Sequence, residues 1–302
     1  MRSTFYKPSG KVTPLFFLLF VLIVVVCVPI LSVAYTYLIH YIPFVYANIV
    51  VTVGCGIVLG VLINFAAKIG KARNPIVVSV LSVVGVVLMS YTQWSVYVPL
   101  VFSDVYGIEM TLAERFAETV YLFARPGTLY ELAQIINEVG VWTLFDAEFT
   151  GPLLLIIWIL EFAVITVCAI GGSWGQARTP FSEESGEWYV ELPGIINTII
   201  PGSIDMLKRW LEDRNFAEFA QFVKGGLTAD PESLGLTFLK PPQDRTDEQY
   251  YMNIGQQTLD KKNAVKATPL LKYVAIDAKC AEEIIEFAQA NAPAAPPPQA
   301  EG

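Results

Sequence analysis

Between Lys11 and Lys68 the chain holds no Asp, Glu, Lys or Arg, and its only ionisable side chain there besides tyrosine and cysteine is His40. Apolar stretches of this length, about 20 residues or more, match the hydrocarbon thickness of a bilayer. Lipid offers no partner for backbone N–H and C=O groups, so such a stretch must satisfy them internally, as a helix. Four stretches meet this test: about 14–39, 45–67, 75–102 and 152–172. Past Arg178 charges of both signs become frequent. The 16% charged content of the whole is therefore an average over a membrane part and a water-facing part, against about 25% in an ordinary soluble domain.

The first stretch carries Arg2, Lys7 and Lys11 ahead of it, with Ser32-Val33-Ala34 near its end, as a secretory leader would. Its apolar run exceeds the 7–15 residues of a leader's core, so we read it as a span that is retained. Basic residues then orient the bundle. Arg2, Lys7 and Lys11 precede span one, and Lys68, Lys71 and Arg73 join spans two and three. The turn between spans one and two, His40-Tyr41-Ile42-Pro43-Phe44, has no lysine or arginine. The segment from Asp104 to Glu148 sets eight acidic residues against Arg115 and Arg125. Lysine and arginine excess marks the cytoplasmic side. Both termini are accordingly expected in the cytoplasm, with 1–13 an N-terminal arm and 103–151 an external loop.

That loop contains two helix-start signatures, Thr111-Leu112-Ala113-Glu114 and Thr128-Leu129-Tyr130-Glu131, each with the spacing of a capping box. Leu112, Phe116, Val120 and Phe123 share one helical face, as do Leu129, Leu132, Ile135, Ile136 and Val139. Pro126-Gly127 separates the two helices and Gly140 ends the second. We expect an amphipathic pair that packs its apolar faces on the spans or on lipid.

Within the membrane one carboxyl group stands out. Glu161 lies near the middle of span four, where insertion costs about 2.5 kcal/mol or more. It reads either as a proton or substrate site or as an acid held by a neighbouring helix, with Asn64, Ser82, Ser90, Thr92 and Gln93 as candidate partners. Gly54, Gly56 and Gly60 are candidate helix-packing residues on span two. Gly56 and Gly60 have the GxxxG spacing that lets helices approach closely, within the chain rather than between copies. Pro29 removes a hydrogen bond to the carbonyl of Val25 and should kink span one.

Residues 177–290 read as a cytoplasmic α+β domain and 291–302, rich in Ala and Pro, as a disordered tail. In the domain, helices are expected over Ser203–Lys224, the first with Ile204, Leu207, Trp210 and Leu211 along one stripe. Strands are expected near Leu234–Leu239, Tyr250–Leu259 and Val265–Ile276, with a polar turn at Asp260–Asn263, and a last helix over 279–289. Ser182-x-x-Ser185-Gly186 has the spacing of a zinc knuckle with serine at both cysteine positions; neutral hydroxyls do not hold structural zinc.

Much chemistry is excluded. Net charge is −8 without a basic cluster, which argues against nucleic acid. Cys27, Cys55, Cys168 and Cys280 form no CxxC pair, and one histidine cannot build a histidine-rich metal centre. No phosphate-binding glycine loop or hydrolase motif occurs. We expect no cofactor, no bound metal and no catalytic residue.

Several segments resemble a group of bacterial inner-membrane proteins without assigned function. They are Tyr6-Lys7-Pro8-Ser9-Gly10, Tyr41-Ile42-Pro43-Phe44, the glycine-rich second span, Lys68–Pro75, Pro126-Gly127 with Gly140-Val141-Trp142, and Gly151 leading to Trp158 and Glu161. The resemblance implies a bacterial inner-membrane location and a ribbon-like cytoplasmic domain with CxxCG knuckles. Here Ser182 and Ser185 replace the first cysteine pair, and Lys240-Pro241-Pro242-Gln243 stands near the second, which implies a degenerate zinc ribbon. The expected fold is a membrane all-α bundle of four transmembrane helices with an external helix pair and a small α+β cytoplasmic domain. The expected role is a non-enzymatic scaffold or interaction protein, bound to lipid and to a protein partner or a second copy. The rival is a small transporter or channel subunit that uses Glu161.

Overall fold

The computed structural model describes residues 4–42, 45–140, 142–144, 147–242, 249–260 and 264–291. Pro43-Phe44, Val141, Gln243, the 261–263 turn and the 292–302 tail named above lie outside the described residues. The chain divides into two compact units, Ser9–Arg178 and a second made of Met1–Pro8 with Thr179–Gly302.

In the first unit four helices are long and apolar enough to cross a membrane. Span one comprises α1 (Pro14–Leu22), a π-helical turn (Ile23–Cys27) and α2 (Val28–Tyr41). The π turn lies directly ahead of Pro29. There the Val28 N–H reaches the carbonyl of Ile23, five residues back, so the widened turn absorbs the proline within a continuous helix. Span two is α3 (Val45–Ile69) and span three is α4 (Pro75–Tyr106). Span three starts on a complete cap: Asn74 Oδ1 accepts from the N–H groups of Ile76 and Val77, both at 3.1 Å, with Pro75 at the first helical position. Span four is α7 (Gly151–Ser173). Phe16, Phe20, Leu59, Ile63, Val86, Met89, Ile165 and Ala169 share a buried cluster drawn from all four spans. Most other large apolar side chains of the spans face outward, the arrangement that lipid as solvent requires.

Between spans three and four come α5 (Leu112–Phe123) and α6 (Pro126–Val139), then a two-stranded hairpin of β1 (Trp142–Leu144) and β2 (Ala147–Phe149). The first capping box forms as expected. Glu114 Oε2 accepts from the Thr111 N–H at 2.8 Å, and Thr111 Oγ1 accepts from the Glu114 N–H at 3.3 Å. The second does not form. Helix α6 begins at Pro126 with Arg125 as its uncapped first flank, which leaves Thr128 inside the first turn. Proline fixes its own backbone angle at the first helical position, and this start overrides the threonine. The inner contacts of the pair are Leu122, Leu129 and Ile136 against Tyr97, Val98 and Val101 of span three. The stripe Leu112, Phe116, Val120 and Phe123 faces outward, Leu112 exposed by 82% and Phe116 by 71%. Periodicity located this apolar stripe but carries no information on which apolar medium it meets.

The hydrogen bonds around Thr111 hold the Glu114 carboxyl below the usual carboxylate range. The sign follows. A lowered acid contributes its full share of stability above its unfolded value, about 4.3, and loses it as pH falls through the folded value. The first turn of α5 should therefore fray on acidification below about pH 4. In hydrogen exchange at neutral pH, Thr111→Ala should speed exchange of the first α5 amides by about fivefold, the equivalent of about 1 kcal/mol for a lost cap.

The second unit is a five-stranded antiparallel sheet with helices on one face. Its strand order is β5 (Val190–Glu191), β7 (Leu234–Lys240), β8 (Tyr250–Leu259), β9 (Val265–Ile276), with β6 (Ile196–Thr198) beside β5 on the same edge of β7. Strand alternation sends Leu236, Phe238, Met252, Ile254, Val274 and Ile276 to one face. There they meet Leu207 and Leu211 of α8 (Ile204–Glu212), Phe219 and Val223 of α9 (Phe216–Gly225), and Ala281 and Ile284 of α10 (Ala278–Ala290). The other face carries Tyr189, Leu239, Tyr251 and Ala275. Ahead of this sheet, β3 (Phe181–Ser182) and β4 (Glu187–Trp188) form a tight hairpin through the Ser182–Gly186 turn.

The N-terminal arm belongs to this sheet. Ala275 donates its N–H to the carbonyl of Thr4 at 2.8 Å, and Tyr6 donates to the carbonyl of Tyr273 at 2.9 Å. Phe5 packs on the helix-covered core, and Tyr6 on Tyr251 and Tyr273. The segment read from sequence as an N-terminal arm is thus tied to the edge of β9 by a single antiparallel bridge, Phe5 to Val274.

Candidate functional site

Glu161 lies ten residues into span four, about 15 Å along a helix of about 34 Å, so it sits near mid-membrane. Its partner is Tyr35 of span one, whose hydroxyl donates to Glu161 Oε1. The Tyr35 hydroxyl also meets Thr52 Oγ1 of span two at 3.1 Å, and Thr52 Oγ1 donates to the Asn48 carbonyl at 2.8 Å. The Asn48 side-chain oxygen is buried without a hydrogen-bond partner among the described residues. Three spans therefore converge on one carboxyl group, and a fourth lines the space beside it. That space is a cavity of about 60 Å³ bordered by Tyr35, Ser90, Gln93, Trp94, Trp158 and Glu161.

The sequence pointed to other partners. Ser90 and Gln93 do border the cavity, but Ser82 pairs with Ser173 at 2.8 Å, Asn64 accepts from the Gln176 N–H at 3.0 Å, and Thr92 bonds its own helix at Leu88. The expected partners were all polar side chains of spans two and three, with no tyrosine among them. A phenol carries its hydroxyl well beyond the helix surface, and Tyr35, only 2% exposed, is the buried aromatic whose hydroxyl demands a partner.

Of the candidate packing glycines, Gly56 and Gly60 lie against span four. A Cβ on Gly56 would stand 2.7 Å from the Ile165 carbonyl oxygen, and one on Gly60 would stand 2.5 Å from that of Ala169. A Cβ on Gly54 would meet nothing within 4 Å. The GxxxG face is therefore occupied within the chain.

At the α5–α6 end of the bundle, His40 Nε2 and Asp104 Oδ2 are 2.7 Å apart. They border a recess of about 280 Å³ together with Ile39, Tyr97, Val101 and Val105. The Tyr97 ring stands edge-on to His40 at 6.3 Å and to Trp94 at 5.6 Å.

In the sheet unit, Ser182 closes the Ser182–Gly186 turn with two hydrogen bonds. Ser185 donates its N–H to Ser182 Oγ at 3.2 Å, and Gly186 donates to the Ser182 carbonyl at 2.9 Å. Among the described residues no group of three or more His, Cys, Asp or Glu side chains is placed to hold a metal ion. The same unit has an open groove of about 460 Å³ between the β5–β6 connection and the end of α10. Leu192, Ile195, Ile196, Leu227, Phe238 and Ile285 line it. Ile195, Ile199 and Ile200 are each 40% exposed or more. Cys280 is on the buried face of α10, and desolvation together with Glu283 and Asp277 pushes its thiol up to about 11, so it is a packing residue rather than a nucleophile.

Comparison with protein-family models, with curated proteins and with solved structures gives no match. The fold and the sites above define a multi-pass membrane protein by its four spans, and the chain's own geometry is what bears on its role.

Proposed function

We propose that this chain is a non-enzymatic interaction protein of a bacterial inner membrane, with both termini cytoplasmic and the sheet unit as its protein-binding domain. The open apolar groove beside α10 carries this reading. Water-facing domains rarely leave a contiguous apolar surface uncovered unless something binds there. Here Ile195, Ile199 and Ile200 present branched side chains next to a groove floored by Ile196 and Phe238. The basic Lys68–Arg73 loop and the acidic α5–α6 segment support the orientation. The serine-substituted knuckle supports a ribbon that has lost its metal.

The test is photo-crosslinking in native membranes from a probe placed at Ile195 of the full-length chain. The expected result is one discrete adduct, to another protein or to a second copy, that disappears when Ile199→Asp and Ile200→Asp are added. A diffuse smear that those substitutions leave unchanged would reject the docking role.

A further inference from the structure

We propose that a groove between α6 and spans three and four binds one acyl chain of a membrane lipid. This stands apart from the docking role of the sheet unit and rests only on the four spans lying in lipid.

Three helices wall the groove. Span three gives Tyr91 and Trp94, and span four gives Leu155 and Trp158. The third wall is one face of α6, from Pro126 through Leu129 and Ala133 to Asn137. Pro126 and Asn137 lie about 16 Å apart along that helix. The groove holds about 440 Å³, so over this length its mean cross-section is about 28 Å².

Shape and surroundings choose the occupant. An α-helix with its side chains is about 10 Å across or more, about 80 Å² in section, and is too wide to be seated here. An extended peptide would bring unpaired backbone N–H and C=O groups to a lipid-facing site, where nothing satisfies them. A hydrocarbon chain is narrow and has no such groups. Access agrees. Leu155 is 50% exposed, and Ile159, on the same face of span four, is 57% exposed. The groove is therefore continuous with the surface that span four turns to lipid, and its walls on three sides set it apart from that open surface.

The lining fits a chain with a polar head at one end. Among the described residues no charged side chain lines the groove. Its polar side chains already bond within the protein. The Tyr91 hydroxyl donates to the Phe123 carbonyl, Gln134 Nε2 donates to the Tyr130 hydroxyl at 3.1 Å, and Asn137 Nδ2 donates to the Gly151 carbonyl at 2.9 Å. Asn137 thus marks the end of the groove at the start of span four. There the Gln134 and Asn137 amides each have a second N–H, which the ester carbonyl of a lipid can accept. Away from that end the walls are Leu129, Trp94 and Trp158. The chain accordingly enters beside Asn137 and lays its methyl end against Leu129 and Trp158.

The experiment places the full-length chain in vesicles of phosphatidylethanolamine and phosphatidylglycerol. These contain a graded fraction of a phospholipid with a diazirine on one acyl chain, and adducts are mapped by mass spectrometry after photolysis. The reference position is Val167, which is 70% exposed on span four and does not line the groove. Adducts at Leu129, Ala133 or Leu155 should reach half their maximum at a probe fraction about tenfold below that for Val167, equivalent to about 1.4 kcal/mol of preference for the groove. Ala133→Trp, which fills the groove from α6, should remove these adducts and leave those at Val167. Should that variant fail to fold, Leu155→Trp fills the groove from its lipid-facing wall. Groove adducts that follow Val167 in probe fraction overturn the proposal, because the lipid there would be coating lipid only. Labelling of Val167 with none in the groove also overturns it and assigns the groove to another occupant, a second copy included. So do groove adducts that survive in a folded, groove-filled variant.

Discussion

Gly60→Leu should prevent this protein from accumulating as a single dispersed species. The new Cβ would stand 2.5 Å from the Ala169 carbonyl oxygen and 3.0 Å from the Gly172 Cα. Both are backbone atoms, which no side-chain rotation can clear. Overpacking a filled core costs about 1–3 kcal/mol even where side chains can yield. Here the remaining response is to push spans two and four apart, which forfeits the van der Waals contact that holds helices together in lipid. Gly54→Leu is the matched control, because a side chain there meets open space. Fluorescence-detected size exclusion of the two variants checks this: a monodisperse peak for Gly54→Leu and an aggregated or absent one for Gly60→Leu. Equal profiles would mean that the glycine contact does not hold the bundle.

The second large effect is expected from the arm. Phe5→Ala with Tyr6→Ala should loosen the exposed edge of the sheet by about 3 kcal/mol. Removing a fully buried phenylalanine costs about 3–5 kcal/mol, and Phe5 is only partly buried, so its share is nearer 2 kcal/mol. Tyr6 adds the edge-on ring pair with Tyr251 at 5.3 Å, worth about 1 kcal/mol. Hydrogen exchange of the full chain reads the result directly. The Ala275 amide, which donates to Thr4, should exchange on the order of a hundredfold faster, since each 1.4 kcal/mol is a factor of ten. Protection of Ala275 that survives the double substitution would show that β9 does not need the arm.

The four spans were legible because hydropathy is a local property that needs no knowledge of neighbours. Their ends ran further than the apolar stretches did: to Tyr41 rather than Ile39, to Ile69 rather than Ala67, and to Tyr106 rather than Phe102. A helix continues as long as its backbone bonds are satisfied, so His40, Lys68 and Asp104 extend it past the point where the side chains turn polar. The β7, β8 and β9 strands and the last helix were also legible from local pattern. What stayed hidden was long-range pairing. Nothing near Tyr35 in sequence announces Glu161, which lies 126 positions away. Nothing in Thr4-Phe5-Tyr6 distinguishes a segment bridged to a sheet edge from a loose arm, because three residues are too few to show alternation. The sense of the α5 stripe was hidden for a related reason: a helix records that one side is apolar, and the bundle decides which side that partner occupies.

The bridge that Phe5 makes to Val274 also fixes a chronology. The ribosome makes residues 4–6 before the strand they meet, and about 270 residues are made in between. At about 5–20 residues per second the wait is on the order of tens of seconds. Residues 4–6 and β9 must end on one side of the bilayer, which demands an even number of crossings; a nascent chain that misses one insertion leaves residues 4–6 across the bilayer from β9. Until the pairing closes, the rim of β9 is an open template, and residues 4–6 of an adjacent copy carry the same key.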